Sequence, residues 1–158
     1  MPILDFETIL GRQQRVKAIS TMRKVRVEDY LIAIDQLCDE ATSTLAKSGQ
    51  IAKSLGIANG TVSSTLLKLA AEGLIVHQPY DGVKLTDLGR VRFHKVARRL
   101  RIIELLLDGL LKWDTESIVD EARRIEVAAS DRLIDGMDAY LGFPAIDRFG
   151  QPIPQSGK

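Results

Sequence analysis

Apolar residues recur at helical spacing along most of the chain, and the residue that breaks such runs is scarce. Pro2, Pro79, Pro144, Pro152 and Pro154 are all the prolines present. Residues 4–22 read as a weakly amphipathic helix. Val27–Cys38 predicts a second, with Tyr30, Leu31, Ile34 and Leu37 on one face. Thr44–Leu55 predicts a short helix, SGQIAKSLG from Ser48 to Gly56, followed by the turn Gly56-Ile57-Ala58-Asn59. Gly56 falls where a left-handed residue commonly ends a helix, and Asn59 falls where an N-cap would begin the next. That helix runs from about Gly60 to Glu72. Val62, Leu66 and Leu69 mark its buried side, leaving Thr61, Ser63, Ser64 and Lys68 to face outward.

Gly73 closes this helix and the period changes from helical to alternating. Leu74–Gln78 and Val83–Leu85 predict two strands joined by Pro79-Tyr80-Asp81-Gly82, with Asp-Gly as the hairpin signal. Thr86 is placed to cap a long helix from Asp87 to about Leu111. Helices over Thr115–Ala128 and Asp131–Tyr140 follow, and the tail from Leu141 to Lys158 reads as extended or irregular. The expected fold is mainly α, with a winged helix-turn-helix carrying a two-stranded wing ahead of further helices. This order suits DNA: a helix fits the major groove, and short polar side chains at its N-terminal end reach base edges. In the wing, Tyr80 and Lys84 are placed to touch phosphates. The basic run Arg90, Arg92, Lys95, Arg98, Arg99 and Arg101 adds sequence-independent attraction. The plainer alternative is a small helical domain whose polar residues are merely solvated.

Composition changes this picture in two places. The chain has 158 residues with a formal net charge of +1, but the charge is unevenly spread. Residues 1–101 carry 16 basic and 10 acidic side chains, and residues 102–158 carry 6 and 11. A basic front and an acidic back suggest two tasks on one chain. The single cysteine, Cys38, excludes an internal disulfide framework and reads as a bystander thiol. No apolar run approaches a membrane span and no signal-peptide order opens the chain, so a cytoplasmic location is expected.

The segments VEDYLIAIDQL, IAKSLGIANGTVSSTLLKLAAEGLI, GVKLTDLGR and DEARRIEVAASDRL, with the closing FGQPIP, resemble the diphtheria toxin repressor / manganese transport regulator family of bacterial metal-responsive repressors. The resemblance covers Val27 to Pro154. It implies an N-terminal helical extension over residues 1–26, a winged helix-turn-helix DNA-binding domain over 27–95, and a helical dimerisation domain over 96–158. It implies a homodimer on a palindromic DNA operator, and a repressor rather than an activator. Ala58, Asn59, Gly60, Thr61, Ser63, Ser64 and Lys68 match the recognition helix. No arginine is available there for guanine, so phosphate contacts, thymine methyls and groove shape are expected to matter more than a dense base code.

The resemblance also implies Mn2+ or Fe2+ sensing, and here the chain departs from the pattern. Matched position by position, carboxylates remain at Asp29, Glu104 and Glu126. The other ligand positions fall on Ile32, Leu100, Val119, Arg123 and Val127. His77 and His94 lie off those positions and read as ordinary wing and surface residues. No cofactor is therefore expected, or at most Mn2+ or Fe2+ held weakly. Arg123 and Glu126 are at i, i+3 on one helix face. The expectation is that Arg123 supplies the missing positive charge and bridges Glu126 to Asp29. Two alternatives stand beside this. One is metal dependence through the reduced carboxylate set or a site shifted to Glu121 and Asp131. The other is a protein-interaction module built on the winged helix. No phosphate loop, nucleophile elbow or HExxH motif occurs, so an enzyme is not expected. The apolar run Leu100–Leu111, with Ile118, Ile125, Val127, Ala128 and Leu133, supplies a core and a dimer seam. Basic residues Arg12, Arg15, Lys17, Arg23, Lys24 and Arg26 mark the N-terminal extension, which lies along DNA or packs across the dimer.

Overall fold

The structure is a computed structural model and describes residues 24–39, 42, 44–78 and 80–155. The helix expected over residues 4–22 lies outside the described residues. Six helices and one two-stranded antiparallel sheet are found among them: α1 (Val27–Leu37), α2 (Ser48–Leu55), α3 (Asn59–Ala71), β1 (Ile75–Gln78), β2 (Gly82–Leu85), α4 (Asp87–Leu110), α5 (Thr115–Ala128) and α6 (Asp131–Tyr140). None of these helices is long and apolar enough to cross a membrane. The chain divides into two compact units after His94, within α4.

In the first unit α1 packs on α2 and α2 on α3, while α1 packs on β2 and α3 on β1. Leu31, Ile34, Ile51, Leu55, Val62, Leu66, Leu69 and Val83 are all buried. The stripe expected on α3 is the buried one. α2 is shorter than the sequence suggests. It starts at Ser48 because the chain before it is extended: Ala46 pairs through both backbone groups with Val83 of β2. Gly56 is left-handed, as expected (φ 66°), but the N-cap of α3 is Ala58, so Asn59 is the first helical residue.

The hairpin pairs Gln78 with Gly82, leaving a three-residue loop in which Tyr80 takes φ 68°. The Leu-Thr-x-x-Gly-Arg exit has a physical basis in its contacts. Thr86 donates its hydroxyl to the Gly73 carbonyl (2.6 Å) and accepts the Gly89 N–H (3.0 Å), so it caps α4 and ties it to the end of α3. Gly89 sits so close to Leu74 that a Cβ there would lie 2.0 Å from the Leu74 carbonyl oxygen.

In the second unit Val96, Leu100 and Ile103 of α4 are buried, as are Ile118, Val119 and Ala122 of α5 and Ile134 of α6. Asp114 and Ser130 cap α5 and α6 by accepting backbone N–H groups from Ser117 and Leu133. The Ser117 hydrogen bonds, from side chain and backbone, hold the Asp114 carboxyl below its usual value. The tail is not featureless. Buried Asp147 accepts the N–H groups of Phe149 (2.8 Å) and Gln151 (2.9 Å), while Arg101 reaches its carboxylate and the Pro152 carbonyl.

Candidate nucleic-acid interface and ligand positions

The front of α3 is open. Ala58, Asn59, Gly60, Thr61, Ser63, Ser64 and Lys68 are all exposed. Ser64 and Thr65 donate their hydroxyls to the Thr61 carbonyl at 3.0 and 2.9 Å. This turns both groups back onto the helix and leaves Asn59, Thr61, Ser63 and Lys68 as the freer reach. Leu67 escaped the sequence reading. It is 66% exposed between Ser64 and Lys68, off the buried stripe of Val62, Leu66 and Leu69. That offset was readable from the helical period.

On the wing, Lys84 is exposed opposite Val76, and Tyr80 at the tip is fully exposed. His77 and His94 are exposed too. Cys38 is half-buried and donates to the Val83 carbonyl.

Half of the basic run along α4, Arg98, Arg99 and Arg101, is turned inward, which the sequence did not indicate. Arg92 pairs with Glu28 at 2.6 Å in the first unit. In the second, Lys95 pairs with Asp131, Arg98 with Asp138, and Arg101 with Asp147. Arg99 pairs with both Glu126 (3.2 Å) and Asp131 (2.6 Å). Only Lys95 among these four is well exposed. Within the second unit the acidic residues thus pair with much of the basic run. Val127 and Leu133, expected in the core or dimer seam, lie outside the core of the single chain, at 51% and 47% exposure.

The three residual carboxylates are buried: Asp29 at 1%, Glu104 at 2% and Glu126 at 7% exposure. Asp29 belongs to the first unit, and Glu104 and Glu126 to the second. Asp29 caps its own helix, accepting the Arg26 N–H at 2.8 Å. Glu126 takes the Arg99 guanidinium, a partner that sequence spacing did not reveal because the two residues are 27 apart. Arg123 is buried on α5.

Comparison with known proteins agrees with this layout. The family described as "Iron dependent repressor, N-terminal DNA binding domain" matches residues 22–83, and "Iron dependent repressor, metal binding and dimerisation domain" matches residues 86–155. The chain belongs to the iron-dependent repressor family. The Diphtheria toxin repressor of Corynebacterium diphtheriae is 32% identical over 127 residues, 80% of this chain and 55% of that protein. The solved structure of the manganese regulator SloR aligns with a TM-score of 0.75 at 29% identity, over 86% of this chain and 62% of that one. A manganese-dependent transcriptional repressor in complex with manganese aligns with a TM-score of 0.71 at 35% identity, over 83% and 60%. The chain therefore spans little more than half the length of such relatives. Iron-dependent repressors are regulators, not enzymes.

Three of the ligand positions that the family resemblance implies carry side chains that are not metal donors. Leu100 and Val119 are buried aliphatics, and a guanidinium stands at Arg123. None of these offers a lone pair, and the guanidinium repels a cation. Among the described residues no group of three or more His, Cys, Asp or Glu is arranged to hold an ion. Of the residues of the shifted alternative, Glu121 pairs with Arg124, and Asp131 with Arg99 and Lys95.

Proposed function

We propose that the protein is a cytoplasmic, homodimeric DNA-binding repressor that acts on a palindromic operator without a Mn2+ or Fe2+ switch. The observation that carries DNA binding is the open front of α3 beside the wing. Asn59, Thr61, Ser63 and Lys68 are exposed there, with Lys84 and Tyr80 next along the same unit. Leu67 adds an apolar surface of the kind that reads a thymine methyl. Exposed Trp113, Val127, Leu133 and Phe143 in the second unit favour a second copy as the dimer partner.

What supports metal independence is the chemistry of Leu100, Val119 and Arg123. In this reading Arg123, buried beside Glu126, supplies positive charge that an ion supplies elsewhere, and bridges towards Asp29 of the first unit. Arg123→Ala is then expected to weaken operator affinity in EDTA. Unchanged affinity removes the bridge from the reading.

The test of the whole is fluorescence anisotropy on a duplex from upstream of the protein's own gene, in EDTA and then with Mn2+, Fe2+ or Co2+. Expected is tight, salt-sensitive binding in EDTA that no metal strengthens. Lys84→Ala is expected to lower affinity for all sequences alike and reduce the salt slope by about 1. Binding only with metal overturns metal independence. No salt-dependent DNA binding under any condition favours a protein-interaction module instead.

A further inference from the structure

On α3 the buried stripe of Val62, Leu66 and Leu69 leaves the opposite side of the helix to solvent. Gly60, Ser64, Leu67 and Ala71 run down the middle of that side, at i, i+4, i+7 and i+11, and all four are exposed. Asn59 and Ser63 flank this row on one side, and Thr61 and Lys68 on the other. The row itself has little hydrogen-bonding reach. Gly60 has no side chain, and nothing lies within 4 Å of where a Cβ would stand, so a base edge can come close to the backbone there. Ala71 offers only a methyl. Ser64 donates its hydroxyl hydrogen to the Thr61 carbonyl at 3.0 Å. Leu67 is the largest side chain of the row and is 66% exposed. A single exposed leucine is ordinary elsewhere on a protein surface. Here it stands at the middle of the one face of α3 that is turned fully away from the core.

In the major groove two pyrimidines differ in two ways: by the exocyclic group at C4, and by the C5-methyl that thymine carries and cytosine lacks. A leucine makes no hydrogen bond to the first, but it removes the second from water. We propose that Leu67 is the base-discriminating residue of α3, and that it reads the C5-methyl of one pyrimidine for each copy of the helix in a groove. Its partner is then a 5-methylpyrimidine and not a particular donor–acceptor pattern. The proposal rests on the reading of α3 as the groove helix, and adds which residue selects and by what group. Thymine and 5-methylcytosine present the same methyl, so Leu67 treats them alike and disfavours uracil and unmethylated cytosine. Burying one such methyl is worth about fourfold in affinity.

The test is a methyl scan on a duplex that the full chain selects from a random pool. Binding is read by fluorescence anisotropy, in EDTA or with metal, whichever is tighter. Each thymine is replaced in turn by deoxyuridine, which removes the methyl and keeps every hydrogen-bonding group. Expected is a thymine at which the replacement weakens wild-type binding about fourfold. Leu67→Ala changes an exposed position and is expected to keep the wild-type melting temperature. It is expected to bind the thymine duplex more weakly and to show no penalty for uracil at that thymine. Its salt dependence is expected to match wild type, because no phosphate contact is lost. Leu67→Met keeps an apolar side chain and is expected to keep the uracil penalty. With a guanine partner at the same step, 5-methylcytosine is expected to bind wild type about fourfold more tightly than cytosine. No uracil penalty at any thymine in wild type, or penalties as large in Leu67→Ala as in wild type at every thymine, overturns the proposal and leaves DNA binding by α3 standing. If the full chain selects no duplex, the DNA-binding reading fails and the proposal falls with it.

Discussion

In the first unit the polar residues at the front of α3 and along the wing stand in solvent, while the second draws its charges inward. Asn59, Thr61, Ser63 and Lys84 are exposed, whereas the Arg98, Arg99 and Arg101 side chains are between 11% and 17% exposed, each against a carboxylate. The difference teaches what each unit's polar groups are for. Exposed short side chains around a backbone-anchored frame are available to a partner. Buried charges in pairs have satisfied each other, and their net electrostatic reach is small. The frame of the first unit rests on backbone approach and caps, and that of the second on ion pairs. Perturbations should separate the two.

The sharpest break in the first unit is Gly89→Ala. The added methyl would meet the Leu74 carbonyl oxygen at 2.0 Å, and that oxygen is backbone that also accepts the Thr86 N–H. No rotamer relieves this, so α4 must shift away from the end of α3. The expected cost is more than about 3 kcal/mol in urea denaturation, with operator binding lost along with it. A stable Gly89→Ala that still binds DNA would show that the α3–β1–α4 junction is not the frame described here.

In the second unit the corresponding break is Arg98→Ala. It leaves Asp138, 6% exposed, without the guanidinium that pairs with it at 2.6 Å. Orphaning a buried carboxylate is expected to cost about 3 kcal/mol. Arg124→Ala makes the control, since its pairs with Asp120 and Glu121 involve an Arg that is 61% exposed. It should change stability by less than about 1 kcal/mol. Equal costs in chemical denaturation would mean that burial does not set the weight of these pairs.

The same contrast explains what could be read from the sequence. Elements of the first unit announce themselves locally: Gly56 at a left-handed helix end, the hairpin, and Thr86 three residues before the N–H it accepts. Both later helices fall on the residues that the period and the capping side chains indicate, Thr115–Ala128 and Asp131–Tyr140. Two local readings slipped by a turn or less. α2 begins at Ser48 because Ala46 is recruited to β2, a pairing 37 residues away, and Ala58 rather than Asn59 caps α3. The burial of the α4 arginines was not legible. An Arg-rich helix face looks the same whether its partners are phosphates or carboxylates brought in by the fold. Arg99 meets Glu126 and Asp131 only because α4, α5 and α6 assemble, so spacing pointed to Arg123 and missed Arg99. The charge split between the two parts of the chain was the available clue: a basic front and an acidic back can be two tasks, or one unit neutralising itself.

The smallest effect concerns the Arg92–Glu28 ion pair, which ties α1 to α4 within the first unit. Burial alone would raise the Glu28 carboxyl. The Arg92 hydrogen bond, a backbone hydrogen bond and the charges of Arg92 and Arg26 outweigh it and hold the group below its ordinary value of 4.5. A carboxyl whose folded value is depressed stabilises the fold fully above its unfolded value, and loses that contribution as pH falls through the folded value. Arg92→Ala should therefore melt slightly below wild type at pH 6, and the gap should close as pH falls through the depressed folded value of Glu28. The Arg92 side chain is 43% exposed, so the gap at pH 6 should be much smaller than that of Arg98→Ala. Salt should narrow it further, because an exposed pair is screened and a buried one is not. A gap that does not change with pH would mean that Arg92 stabilises the unit through packing of its stem rather than through Glu28.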